Sequence, residues 1–280
     1  MASSTLSVII VNYNTREDLR VCLSALHACD PMPEVIVVDN ASTDGSAEMV
    51  RMEFPGFTLL TPRRNTWFCG GNNLGVRAAH GEYALLLNPD AIPSPDALAA
   101  MVEFMDGHPE YAGATVQLRC PNGEIQRTCS HVPTYPYLLL TQTPLRWLLP
   151  GKRRRAEALH WYHGWARDAD YDVAVVPGSC LLMRRHELVL DDRLLLYFPE
   201  DDLARRSARR KFRFLASSYM LHREKSATRT AAATRIYFRD LLVYTRKYHG
   251  LAGAMLLWLL TRPMKWGMAL RWWLRRFESK

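Results

Sequence analysis

Tyr83-Ala84-Leu85-Leu86-Leu87-Asn88-Pro89-Asp90 is an apolar run of strand length that ends in a carboxylate. A short continuous apolar run bounded by a proline reads as a strand buried on both faces, the habit of parallel sheets. The same pattern occurs upstream, where Val35-Ile36-Val37-Val38 leads into Asp39-Asn40. Two such strands deliver acids to one edge of a sheet, and that edge is where ligands sit in α/β folds. A polar crevice of this kind suits a nucleotide-linked substrate and a divalent cation.

Leu6 to Val11 is another apolar run, and Asn12-Tyr13-Asn14-Thr15 turns the chain. Asn14 or Thr15 is predicted to cap a helix through Cys29 whose buried stripe is Leu19, Cys22, Leu23 and Leu26. Pro31 and Pro33 end it, and a strand Glu34–Val38 follows. Ser42-Thr43-Asp44-Gly45-Ser46 starts a second helix, with Asp44 as its expected cap, and Pro55-Gly56 closes it. Phe57–Leu60 reads as a third strand. Gly70-Gly71-Asn72-Asn73 precedes a short helix near Leu74–Ala79, and Tyr83–Leu87 is the fourth strand. Strands alternating with helices in this way indicate an α/β fold with a mostly parallel central sheet flanked by helices. Beyond it, Pro93 and Pro95 introduce a helix through Met105, and Gly113–Leu118 reads as a strand. Residues 121–172 show no stable period and read as a substrate-facing insert or mobile loop. Val173–Val176 and Cys180–Met183 flank Pro177-Gly178-Ser179. Glu200-Asp201-Asp202 opens an arginine-rich helix, and a short strand, Phe212–Leu215, precedes His222.

The chain has 280 residues, 48% of them apolar and 23% charged, which predicts a packed core rather than disorder. Six cysteines form no CxxC pair and no zinc-spaced cluster, so reduced thiols in a cytosolic setting are expected. Met1-Ala2-Ser3-Ser4-Thr5 lacks a basic leader and a cleavable apolar region and is not read as a signal peptide. Charge is uneven. Residues 235–280 carry ten Lys/Arg against Asp240 and Glu278, a net +8 that equals the whole chain's formal charge.

Asp90 is the strongest metal candidate. Magnesium or manganese prefers hard oxygen ligands and uses one or two protein carboxylates with substrate phosphates; the plainer reading is a turn aspartate beside prolines. Asp39 or Asn40 can meet the imide N–H of a pyrimidine or the ribose hydroxyls. Arg64 offers bidentate pairing to base or phosphate. The glycines at 70, 71 and 75 permit close backbone approach but form no GxGxxG or P-loop pattern, which argues against dehydrogenases and kinases. In Glu200-Asp201-Asp202, crowded like charges at a helix start can raise one pKa toward that of a general base; a solvated capping cluster is the alternative. His222 is either an imidazole ligand or phosphate contact, or an uneventful histidine.

Together, Ser7–Asn14, Val37–Ser46 and Leu87–Asp90 resemble the family 2 glycosyltransferases of the GT-A fold, in the bacterial rhamnosyltransferase-like branch. Arg64-Asn65 with Phe68 and Gly70–Gly75, Pro177–Leu182, and Glu200–Leu203 add to the likeness, which spans about residues 5–225. The resemblance implies a Rossmann-like GT-A domain over 1–230, with a donor-binding half (1–118) and an acceptor and catalytic half (119–230). It places Val11, Tyr13, Asp39, Arg64, Asn65, Gly71, Asn73, Asn88 and Asp90 at the donor. Asp90 ends a DxD-like motif for Mg2+ or Mn2+. Asp201, ahead of Glu200, is the inverting base, and Gly178, Ser179 and Asp202 support the acceptor or the acidic cluster. His222, with Ser226, closes the donor site at the diphosphate or metal. Three departures stand out. Trp67 replaces a frequent glycine, Asn88 replaces the first aspartate of DxD, and the acidic cluster is compressed. The implied reaction is transfer from a dTDP- or UDP-sugar, dTDP-rhamnose by branch, with inversion and no covalent sugar intermediate. A noncatalytic nucleotide-sugar-binding membrane scaffold and a sugar-phosphate nucleotidyltransferase are the rivals.

In residues 231–280, Tyr237, Leu241, Tyr244 and Tyr248 can share a helical face, and Leu251–Leu260 is apolar but too short to span a bilayer. Trp266, Trp272, Trp273 and Phe277 interleave with Lys265, Arg271, Arg275 and Arg276. That mixture reads as a basic amphipathic helix at the lipid headgroups on the cytoplasmic face of the cell membrane. Packing on the catalytic domain or in a homodimer is the alternative. So much aliphatic surface argues against nucleic acid. A lipid-linked saccharide, in cell-envelope polysaccharide synthesis, is the expected acceptor.

Overall fold

The computed structural model of the chain describes residues 5–207, 211–223 and 231–278, with side chains described up to residue 264. The continuous apolar runs become strands β1 (Leu6–Asn12), β2 (Glu34–Asp39), β3 (Thr58–Leu60) and β4 (Tyr83–Leu87). They pair in parallel in the order β3-β2-β1-β4, linked by α1 (Arg16–His27), α2 (Ser46–Glu53) and α3 (Trp67–Ala78). The predicted α1 stripe of Leu19, Cys22, Leu23 and Leu26 is fully buried against this sheet's core.

The rest of the nine-stranded sheet follows the order β4-β8-β6-β9-β5, with β7 (Tyr171–Val173) also on β9. Here β5 is Ala91–Ile92, β6 Tyr111–Arg119, β8 Cys180–Arg184 and β9 Lys211–His222, and α4 (Pro95–Gly107) follows β5. β8 runs antiparallel to both β4 and β6, whereas β9 is parallel to β6. β4, β6 and β9 therefore point the same way. Consequently the C-terminal ends of β1, β2, β4 and β9 and the N-terminal end of β8 share one edge of the sheet. That edge collects the polar residues singled out in the sequence.

Several local expectations are corrected. Thr15 precedes α1 but does not cap it; its hydroxyl donates to Asn12 Oδ1 (2.6 Å). Asp44 supplies the acceptor instead, taking the Arg16 amide (2.9 Å) through Oδ2 and the Ser46 amide (3.0 Å) through Oδ1, so one carboxylate serves two helix starts. Gly70-Gly71-Asn72-Asn73 lies inside α3 rather than before it. A Cβ on Gly75 would sit 2.3 Å from Ile9 Cγ2, and one on Gly71 2.7 Å from Val11 Cγ1. These glycines let α3 press onto β1; they are not a phosphate loop. β9 is longer than the expected Phe212–Leu215 strand, and its pairing with β6 steps from Val116↔Leu215 to Gln117↔Tyr219, a register shift that skips residues 216–218.

Residues 121–172 do not form a structureless insert. They contain α5 (Tyr135–Gln142), α6 (Leu145–Leu148) and α7 (Pro150–His160) before β7. The compact units fall as Met1–Ser130, Trp165–Leu195 and Pro199–Lys225 in one, and His131–Gly164, Leu196–Phe198 and Ser226–Lys280 in the other. Thus residues 131–164 cluster with the C-terminal helix α9 (Ala231–Glu278) rather than with the sheet. α9 breaks at Gly250, whose φ of 75° interrupts the helix. In that unit Tyr237, Leu241 and Tyr244 pack inward: Tyr237 meets Tyr197 edge-on, Tyr244 stacks on Phe198, and Asp240 accepts the Leu196 and Tyr197 amides. Among the described residues no helix is long and apolar enough to cross a membrane. Ser226 lies outside the described residues, as do the side chains of the tryptophan–arginine stretch beyond residue 264.

Candidate active site

At the shared edge, Asp39 closes β2 directly opposite Asn12 of β1. Its carboxylate is 2% exposed and accepts from Asn12 Nδ2 (2.9 Å) and the Ser42 amide (3.2 Å), which fixes its orientation. Asn40 beside it is not available to a ribose. Its Oδ1 accepts the Thr66 amide (2.9 Å) and hydroxyl (2.7 Å), and its Nδ2 donates to the Trp67 carbonyl (3.0 Å). Asn40 therefore fastens the loop before α3. Trp67, where the resembled family often has glycine, takes a φ of 62°, the left-handed region that glycine occupies without cost. Asn65 Oδ1 accepts the Trp67 amide (2.7 Å) and supports that turn. Tyr13 is half exposed and Arg64 is exposed, both open to a ligand, whereas Val11 and Gly71 are packed against each other. Asn73 is buried and its amide is fully engaged by protein: its Nδ2 donates to the Leu190 carbonyl and Asp192 Oδ1, and its Oδ1 accepts the Leu190 amide. It pins the segment after β8.

The second cluster is built by β4, β5 and β9. Ala91 of β5 pairs with His222, so Asp90 meets the imidazole: Asp90 Oδ1 lies 3.2 Å from His222 Nε2. Asn88 Nδ2 is 3.4 Å from the same nitrogen. On the other side, His222 Nδ1 lies 2.8 Å from Gln126 Oε1, while Gln126 Nε2 donates to the His222 carbonyl (2.7 Å). That second bond orients the Gln126 amide, so its oxygen faces Nδ1 and Nδ1 carries a proton. In that tautomer Nε2 is the acceptor nitrogen, turned toward the Asp90 carboxylate and within reach of the Asn88 amide. Two Lewis bases facing each other, held by an outer hydrogen bond, suit a cation or a proton between them. Gln126 was not signalled by the sequence, because only the parallel pairing of β6 and β9 brings its loop to His222. Among the described residues no cluster of three His, Cys, Asp or Glu could hold a metal. Asp90 and His222 fit Mg2+ or Mn2+ as a minimal pair, with diphosphate oxygens and water completing the shell.

The third cluster is acidic. α8 (Pro199–Arg206) begins with Glu200, Asp201 and Asp202, three acids at the end of a helix dipole that tolerates them. They separate into different roles. Asp202 is fully buried and paired with Arg206 Nε (2.9 Å), a structural ion pair within the helix. Glu200 Oε1 accepts the Gly178 amide (3.0 Å), and a Cβ on Gly178 would stand 2.1 Å from that oxygen and 2.7 Å from Phe68 Cζ. The loop needs glycine there. Ser179 in turn accepts the Asn88 amide (3.2 Å) through its carbonyl, which ties this loop to the Asp90 cluster. Asp201 has no hydrogen-bond partner among the described residues. Both residues keep some solvent access yet are densely surrounded by protein. Desolvation pushes Glu200 up to about 7, and desolvation, then the neighbouring Glu200 charge, pushes Asp201 up to about 8. The two titrate as a coupled pair poised near neutrality.

The glycosyl transferase family 2 model matches residues 7–186. The chain belongs to glycosyl transferase family 2. The match covers the Asp39 and Asp90 strand ends and stops before the acidic pair and His222. This family 2 chain is 23% identical to an N-acetylglucosaminyl-diphospho-decaprenol L-rhamnosyltransferase of Mycobacterium tuberculosis, over 98% of its own length and 90% of that protein. It is 32% identical to the succinoglycan biosynthesis protein ExoO of Rhizobium meliloti, over 39% of this chain and 30% of the other. A mannosyltransferase from Pyrobaculum calidifontis, solved with GDP-Man and Mn2+, superposes with a TM-score of 0.57 at 19% identity, over 88% of this chain and 64% of that one. Staphylococcus aureus TarS 1-349 with UDP-GlcNAc superposes at 0.53 and 16% identity, over 86% and 66%. The fold is the GT-A α/β architecture expected.

Proposed function

We propose that this family 2 glycosyltransferase moves a sugar, L-rhamnose as the leading candidate, from a pyrimidine-nucleotide diphosphate to a lipid-linked saccharide, with inversion, in cell-envelope polysaccharide synthesis. One observation carries it: the sheet's topology delivers an oriented carboxylate (Asp39), a carboxylate–imidazole pair (Asp90 and His222) and a desolvated acid pair (Glu200 and Asp201) to the same edge. The near full-length likeness to a rhamnosyltransferase supports the donor and the acceptor class.

Asp39 is held by Asn12 and Ser42 with lone pairs to spare for a pyrimidine imide N–H, which uracil and thymine share. Asp90 and His222 hold Mg2+ or Mn2+, which when bound neutralises charge on the leaving diphosphate. Asp201 takes the acceptor hydroxyl proton as that oxygen attacks the anomeric carbon. Its raised proton affinity suits that role near neutral pH. Glu200, anchored on the Gly178 amide, sets the position of the pair and keeps a second charge beside it. Direct displacement from the face opposite the diphosphate inverts the configuration and leaves no sugar on the protein.

A metal-supplemented screen of dTDP- and UDP-sugars with membrane lipid extract tests this, with mass analysis of nucleotide and lipid. Release of nucleoside diphosphate with a glycosylated lipid is expected. No transfer in the screen, with inorganic diphosphate and a new nucleotide-sugar formed when a nucleoside triphosphate and a sugar phosphate are supplied instead, would make the protein a nucleotidyltransferase, and donor binding without turnover a scaffold.

A further inference from the structure

The unit formed by residues 131–164, 196–198 and 226–280 buries a core of its own yet leaves two groups of large apolar residues exposed. After the break at Gly250, the buried α9 positions are Ala254, Leu257 and Thr261. The opposite stripe is apolar and bare: Leu251, Met255 and Leu259 are 60%, 61% and 59% exposed, and Trp258 carries Arg262 over its ring at 3.8 Å. The α6–α7 arm repeats the pattern, with Trp147 and Leu148 65% and 72% exposed. Lys152, Arg154 and Arg155 follow, exposed and without an ion pair among the described residues. Two unpartnered apolar faces in one unit exceed the scattered exposure normal for a soluble surface.

Charge identifies what covers them. Residues 131–164 carry five cations against Glu157, and residues 231–280 carry ten against two acids. These segments together hold +12 while the whole chain holds +8, so the other 196 residues hold −4. A second copy would bring +12 against +12, and nucleic acid would leave the leucines and tryptophans in water. An anionic bilayer accepts both features, with tryptophan at the headgroups and arginine on lipid phosphate.

We propose that the α6–α7 arm is a second bilayer-docking element that works with α9, so the protein grips an anionic membrane at two places. This rests on the lipid-linked acceptor reading and adds the residues that face the lipid. The test is flotation of the full chain with vesicles of phosphatidylcholine alone or mixed with phosphatidylglycerol, containing no sugar acceptor. The wild type is expected to float only with mixed vesicles. K152Q/R154Q/R155Q should lower partitioning by about tenfold or more, given the contribution of each surface cation, and W147S/L148S should also lower it, with thermal unfolding unchanged in both. Wild-type flotation by both variants would overturn the proposal, as would a wild type that forms dimers and ignores mixed vesicles. Failure of transfer to lipid extract with flotation intact would sink the proposed function and leave this surface standing.

Discussion

The sharpest physical feature at the residue scale is a pair of carboxylates that hold their protons near neutral pH. Glu200 and Asp201 sit at about 7 and about 8, above ordinary carboxylates, because burial penalises the charged forms. The folded protein therefore keeps protons that the unfolded chain has already released. Their contribution to stability is full below the ordinary carboxylate range and is lost as pH rises through the folded values. Transfer needs the deprotonated base, so activity rises across the same window in which stability falls. Asp201→Asn should raise the thermal midpoint at about pH 8 and leave it unchanged at about pH 2, where both states are already neutral. A lowered midpoint at the higher pH would contradict the desolvation. Gln126 belongs at this scale too. By fixing the Nδ1 proton of His222 it presents Nε2 toward Asp90. Gln126→Leu should weaken Mn2+ binding, read by paramagnetic relaxation, by about tenfold or more, as loss of an outer partner does at other metal sites. Unchanged Mn2+ affinity would make Gln126 a packing residue.

At the scale of elements, two glycines decide where the site forms. Gly178→Ala places a methyl 2.1 Å from Glu200 Oε1, so the carboxylate must leave its amide. Transfer should fall while the bulk of the fold persists. Gly75→Ala forces α3 away from Ile9 and should destabilise the whole unit by roughly 1–3 kcal/mol in denaturant unfolding, with the acidic pair untouched. The legible part of the sequence was the set of continuous apolar strands with acids at their ends, because a strand buried on both faces leaves no other pattern and its first polar residue marks the sheet edge. The α1 stripe was legible for the same reason. α3 was misplaced because its glycines look like a loop until Ile9 and Val11 are known to lie beneath them. α5–α7 escaped because α6 and α7 bury no side chain fully, so no apolar period marks them. Asn40 and Asn73 look like ligand-facing polar residues in the sequence, whereas in the fold both are hydrogen-bonded pins for loops. Short amides near a site look alike in sequence whichever partner they take.

Across the whole molecule, charge is divided between a basic unit rich in exposed tryptophan and leucine and a mildly acidic remainder built on the sheet. The sheet's parallel strands gather the chemistry at one edge, and the reversed β8 adds the Gly178 loop that holds Glu200. No single motif would do this. Asp39, Asp90, His222 and Asp201 come from four separate stretches, and only the strand order brings them to a common boundary. Catalysis at that boundary is tested most directly by the transfer rate of purified Asp201→Asn at saturating donor and Mn2+, beside its nucleoside diphosphate affinity. If Asp201 is the base of the proposed reaction, its loss should slow glycolipid formation by at least about 10²-fold with nucleotide binding unchanged. Glycolipid formed at the wild-type rate would mean that Asp201 takes no proton and that the edge assembled here is not the catalytic one.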